Sequence, residues 1–361
     1  MSSHERIRFE HIIIDAEGPA DPHIKAVGDI NGDGIPEVII PSSRGGPLVW
    51  YEYPSWKKHV IAPSGNWSCY ARVIDMDGDG DGDILISDWS ANNRIEWYEN
   101  PLPDGDPAVD PWKRHIIGSP RAHDIDVGDI DGDGRIEFVT RWKDEEGSRF
   151  FVWKQNSDGV WVNRSVDCPA GEGIALGDID SDGKLEIIIG GRWYKASGDI
   201  LSQAWSEHVF ADWPADAVVK VGDIDGDGHL EVALVKTEQK HRISWFKVPP
   251  KPEDKWIEHV IDSSIDSAHS LAIHDMDGDG NLDIITAEQH TSSEKRVMIY
   301  FNKGDGLEWE RQVIANTGSH SLCIADIDGD GAPDIMGANW TGSHQPIEMW
   351  RNLGRQEKET G

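Results

Sequence analysis

Short acidic segments recur along the chain with a spacing that suits a hard cation. Seven nine-residue runs carry an oxygen-bearing side chain at their first, third, fifth and ninth positions. They are Asp29, Asn31, Asp33 and Glu37; Asp75, Asp77, Asp79 and Asp83; Asp129, Asp131, Asp133 and Glu137; Asp178, Asp180, Asp182 and Glu186; Asp223, Asp225, Asp227 and Glu231; Asp275, Asp277, Asp279 and Asp283; and Asp326, Asp328, Asp330 and Asp334. Gly at the sixth position permits a sharp turn, and the seventh offers a backbone carbonyl, so each run meets the requirements of a Ca²⁺ loop. Structural calcium is therefore expected at up to seven sites. A loop without an ion would hold three or four like charges close together, which makes a metal-free acidic turn the weaker reading.

A second set of reactive side chains keeps step with the first. Six residues before each loop stand His23, Cys69, His123, Glu172, Ala217, His269 and His320, four histidines in seven. Tyr70, Asp124, Ser270 and Ser321 follow them, and three residues further along a small residue is replaced by Arg72, Asp126 and Lys220. Imidazole, phenol and cations together can remove a proton next to a carbonyl, hold the resulting enolate and protonate a leaving oxygen, which is β-elimination. In that reading His123 or His269 is the base and Tyr70 the acid, while Arg72 and Lys220 stabilise negative charge; Arg72 and Asp126 are also placed to pair. His23, His320, Arg44, Trp89, Arg141, Trp142, Arg192, Trp340 and His290 would bind substrate, cations and aromatic plates being suited to an acidic or oxidised sugar. A histidine ring with Glu288 or His290 beside it could also hold Zn²⁺ or Mn²⁺ as a Lewis acid.

Something must bring seven loops and seven mouth positions into two rings. The loops lie 46, 54, 49, 45, 52 and 51 residues apart, a period typical of propeller blades. Around the first loop, His23 to Ile30, Glu37 to Ile40, Leu48 to Tyr53 and Trp56 to Ile61 read as four strands. Four strands in each of seven repeats predict an all-β, seven-bladed propeller. The last repeat lacks a fourth strand, and residues 10–14 (Glu10 to Ile14) supply one, so the N-terminal strand is expected to close the ring. Residues 1–355 form one domain in this reading, and 356–361 a disordered tail. Each loop joins the first two strands of its blade, so the mouth positions emerge on the opposite face. Histidines three residues after a Trp in the outer strand, at His59, His115, His208 and His259, are expected to be structural.

The net charge of -32 lies mostly in the loops, which makes the acidity metal-site chemistry and excludes nucleic acid and anionic membranes as partners. Three cysteines at uneven spacing imply no disulfide framework. No stretch has the length of a signal-peptide core or a membrane span, so a soluble cytoplasmic protein is expected, or a secreted one if a leader was removed.

The acidic repeats resemble the FG-GAP/VCBS repeat family, the propeller class that includes the integrin alpha head, and the resemblance covers all seven repeats. It implies the propeller fold and calcium in the loops. The literal Phe-Gly and Gly-Ala-Pro words are absent, which argues against an integrin-like adhesion role. The repeats with histidines opening the inner strands look like the propeller portion of aldos-2-ulose dehydratase and, more distantly, propeller polysaccharide lyases, which implies action on carbohydrate. Oligogalacturonate lyases with propeller folds supply the analogy for a histidine-bound metal. A lectin would repeat its pocket from blade to blade, whereas these mouth residues differ. The sequence thus points to a lyase or dehydratase acting on an acidic or keto sugar; the alternative is a non-catalytic sugar- or protein-binding propeller.

Overall fold

A computed structural model describes residues 6–355 apart from 24, 91 and 143–147, and the side chains of Ser68 and Cys69 lie outside it. The expected disordered tail at 356–361 and the expected mouth position of the Cys69 side chain fall beyond the described residues. Twenty-eight strands form seven antiparallel four-stranded sheets, and among the described residues there is no helix. The first strands of consecutive sheets pack against one another, and that of the last sheet, Ser321–Ala325, packs on that of the first, Ala26–Gly28. The result is a closed seven-bladed β-propeller.

Closure follows the predicted route. Strand Ile7–Asp15 pairs antiparallel with Ile347–Arg355, outside Asp334–Ala338 and Ser321–Ala325. Beyond the backbone ladder, Asp15 accepts a 2.7 Å hydrogen bond from the Tyr51 hydroxyl of the first blade, so the closing strand is tied to two blades.

Second strands are buried along their whole length, as Glu37–Pro41 and Asp83–Asp88 illustrate. Their continuous apolar runs pack between blades, with Trp50, Trp153, Trp193, Trp245 and Trp350 fully buried beside them. The outer-strand histidines serve this packing. His59, His115, His208 and His259 each stack on the Trp opposite, with centroids 4.1–4.3 Å from Trp50, Trp97, Trp193 and Trp245.

Strand ends differ from expectation, the closing strand running over Ile7–Asp15 and the first inner strand ending at Gly28, and two of the shifted starts have a visible cause. The first blade's inner strand begins at Ala26 because His23 is held in a turn by the Asp21 carbonyl. Its fourth strand begins at Lys57, since Trp56 adopts a φ of 53° and donates its amide to Glu52 to close the turn.

Candidate functional site

The acidic loops are preorganised by their own backbone. In all seven, one oxygen of the ninth-position carboxylate accepts the amide of position two at 2.8–3.1 Å. The first Asp accepts the amide of the sixth-position Gly at 2.8–3.0 Å, a bond that needs the positive φ of that glycine, +84° at Gly134. Carboxylates of the first, third and ninth positions then converge: in blades two to five their oxygens lie within 4.8 Å of one another. Burial, reinforced by the neighbouring carboxylates, pushes Glu37 and Asp83 up to about 7. Such a cradle fits a divalent cation.

The blades are not equivalent, however. In blade three the Lys154 ammonium lies 2.6, 2.7 and 3.0 Å from Asp131, Asp133 and Glu137. Lys195 makes the same contacts to Asp180, Asp182 and Glu186 in blade four, and Lys247 to Asp225, Asp227 and Glu231 in blade five. The expectation that a metal-free loop leaves its carboxylates unbalanced does not hold in these three. Where the ninth residue is Asp, its second oxygen is taken instead by the amide of Asn100, Asn302 or Asn352 at 2.8–2.9 Å.

At the other end of the inner strands the four histidines meet. His269 stacks on His320 at 3.8 Å between centroids, and His320 lies 4.4 Å from His23. Glu172 enters this cluster from blade four, with Oε1 2.8 Å from His269 Nε2 and Oε2 3.0 Å from His123 Nε2. Burial alone would raise the Glu172 carboxyl, but the adjacent His269 and His123 outweigh it and hold it well below the ordinary value. His123 also approaches Asp124 through Nδ1 at 3.1 Å, and Asp124 accepts the Gly173 amide at 2.9 Å. Gly173 has a φ of +92°, and a Cβ there would lie 1.8 Å from the Ala217 carbonyl oxygen, so the chain can pass only as glycine. Burial, with His269, His23 and Lys25 nearby, holds His320 well below the ordinary imidazole value.

Four stretches, 29–86, 75–140, 223–286 and 275–337, match the profile of the FG-GAP-like repeat, and together they span well over half of the chain. The chain belongs to the FG-GAP-like repeat family. Among solved structures, this FG-GAP-like propeller is similar to Bacillus licheniformis rhamnogalacturonan lyase PL11, at 14% identity over 96% of this chain and 72% of that one, with a TM-score of 0.50. That likeness is one of fold. No curated protein sequence matches the chain.

The other predicted residues of this FG-GAP-like propeller divide into three groups. Trp89 and Trp340 flank the histidines, their rings 5.7 and 5.0 Å from His23, with Trp142 5.5 Å from Trp89 and His290 5.9 Å from Trp340. Arg44 lies over Trp340 at 5.9 Å while pairing with Asp21. Tyr70 stands edge-on to His123 at 6.4 Å. Arg72 pairs with Asp126 at 3.1 Å and, with Lys220, lines the channel three residues beyond the histidine register, about 10 Å along the strands. Burial and the Arg72 cation pull the Lys220 amine down.

Two predicted residues turn away from the histidine cluster. Arg141 is fully buried and donates to the carbonyls of Gly173, Ala215 and Pro169 at 2.7, 3.0 and 2.8 Å, bracing the turns that carry Glu172. Arg192 pairs with Glu207 of the outer strand at 2.9 Å. Nor does Glu288 face the ring, being bound by Arg296 and Ser292. The carboxylates that could hold a metal with His269 are Glu172 and Glu238, whose ligand atoms lie within 4.8 Å of one another and of the imidazole.

His123 was expected as a base, and both of its ring nitrogens face carboxylates, Asp124 and Glu172. The four imidazoles are also buried, at 1–6% exposure, and do not stand open at a mouth. Sequence reasoning missed Lys25, which is buried and donates to the Ala338 carbonyl at 2.6 Å, and the three loop lysines. The lysines had a signal: each follows an aromatic third-strand residue, in Trp153-Lys154, Tyr194-Lys195 and Phe246-Lys247.

Proposed function

We propose that the protein is a carbohydrate-active lyase or dehydratase whose acid–base site is the buried histidine–glutamate cluster, with calcium serving a structural role in acidic loops on the opposite face. The observation that carries this reading is Glu172 within 3.0 Å of both His123 and His269, beside a neutral His320. Ionisable groups gathered in one buried place on an otherwise regular scaffold mark a functional site more often than a structural one. His320 is the base in this reading, because its Nδ1 is buried with no hydrogen-bond partner among the described residues and, unlike His269, it forms no ion pair with Glu172. It takes the proton from the carbon next to a carbonyl or carboxylate, and the negative charge that develops is met by the His123 and His269 imidazoles that Glu172 holds in place. Tyr70 returns a proton to the departing oxygen. Trp89, Trp142 and Trp340 form stacking plates for sugar rings, and the fold likeness to a rhamnogalacturonan lyase supports an acidic polysaccharide as substrate.

A non-catalytic binding propeller is the second reading, favoured by the burial of all four imidazoles. An ultraviolet assay for unsaturated products on uronate oligosaccharides and keto sugars separates the two. Product formation that His320→Gln abolishes, with thermal stability retained, is the expected result. Sugar binding without product by the folded wild-type protein would establish the binding reading instead.

A further inference from the structure

Three of the seven loops carry a lysine of their own. Lys154, Lys195 and Lys247 occupy one structural position, the residue after the third-strand aromatic in the pairs Phe138–Trp153, Ile187–Tyr194 and Val232–Phe246. From there each ammonium reaches carboxylates of the third, fifth and ninth loop positions together. Each ammonium donates to the third- and fifth-position carboxylates and stands 3.0–3.5 Å from an oxygen of the ninth, placing its positive charge among all three as a small cation would. All three side chains are mostly buried, at 13%, 28% and 26% exposure.

The same position is filled differently elsewhere. After Tyr51 and Tyr98 it is Glu52 and Glu99, so blades one and two place a further carboxylate where the others place a lysine. Among the described residues no Lys or Arg forms an ion pair with either of those two loops. Blade two also carries Asp81, whose two carboxylate oxygens are buried without a hydrogen-bond partner. In blade six the position is Phe301, and Arg355 reaches Asp277 and Asp279 from the neighbouring blade. In blade seven it is Arg351, which pairs with Asp328 and Asp330. Among the described residues these two arginines form no ion pair with the ninth-position Asp283 and Asp334, whose second oxygens accept the amides of Asn302 and Asn352, so they meet the third and fifth positions only.

We propose that Lys154, Lys195 and Lys247 are built-in counter-ions that replace the divalent metal in blades three, four and five, so that calcium binds only among the loops of blades one, two, six and seven. This rests on the calcium reading above and narrows it. A metal entering a lysine-filled cradle would have to expel an ammonium that is already paired three times, at a spacing where two cations repel strongly. The consequence is a ring in which three adjacent blades of the seven are held by their own charges and keep their turns when calcium is withdrawn.

Calcium titration of chelator-treated full-length protein, followed by calorimetry and by native mass spectrometry, tests this. Wild type is expected to bind no more than four ions per chain. Each of Lys154→Met, Lys195→Met and Lys247→Met should bind one more than wild type and melt lower than wild type in chelator, with calcium restoring the difference. The single variants are read separately, so poor folding of one does not decide the result, and a variant that folds only with calcium supports the proposal. Seven ions in wild type would overturn the lysine assignment and leave the calcium reading standing, as would variants that fold but bind no additional ion. No calcium in wild type or in any variant would overturn both.

Discussion

Glu172 and His269 lie 2.8 Å apart although they come from blades four and six, which share no strand pairing. The radial packing of the inner strands brings them together past the intervening blade five. Removing the charge by Glu172→Gln takes from His269 its ion-pair partner and leaves His123 with Asp124 alone, and breaking a buried pair from one side costs about 3–5 kcal/mol. A melting temperature lowered by several degrees at neutral pH is the expected outcome, read by circular dichroism. An unchanged melting temperature would mean that both imidazoles are neutral beside Glu172.

Arg141 braces three carbonyls from two turns with one guanidinium. Substituting Met keeps most of the volume and leaves Gly173, Ala215 and Pro169 short of a donor, at a cost of roughly 3 kcal/mol or more. Arg141→Lys should recover only part of this, since an ammonium cannot span the fork. Chemical denaturation midpoints of the two variants check the order.

The closing strand has a pH dependence of its own. Burial would raise the Asp15 carboxyl, but Lys58, the Tyr51 hydroxyl and the amides of Gly18 and Glu17 outweigh it and lower it from 3.8 to about 2. A carboxylate depressed on folding adds stability that is complete above its unfolded value of 3.8 and is lost as the pH falls through about 2. Asp15→Asn should therefore cost about 2 kcal/mol at neutral pH and almost nothing near the acid end. Urea denaturation at pH values on either side of that window measures the convergence.

Outer histidines stacked on tryptophan belong to the blades and not to the site. His208→Ala removes a ring 4.1 Å from Trp193 and should cost about 1 kcal/mol, with turnover of any substrate unaffected. His320→Gln should show the reverse pattern, full stability and lost turnover. Parallel melting and turnover measurements on the two variants compare one residue type in two environments.

Much of the architecture is legible because it is repeated. A carboxylate pattern with a period near fifty places the loops, and strand-length segments around it place the blades. The closing strand was readable from residues 10–14, since the last repeat ends one strand short. Boundaries were less so: Trp56 looks like the start of a strand, yet its positive φ puts it in the turn.

By itself the sequence determined what periodicity and local spacing encode: seven acidic loops, seven blades, and a register that gathers His23, His123, His269 and His320 at one height. Tertiary structure alone decided which of these side chains touch. Glu172 stands between two histidines because closing a ring apposes strands far apart in the chain, and Arg141 points inward because the neighbouring turns offer it three carbonyls. The three lysines share the fate of their loops for the same reason: a third-strand residue meets a first-loop carboxylate only once the sheet has paired. Contacts across strands and blades depend on register and closure, and those are properties of the folded ring, beyond the reach of local spacing.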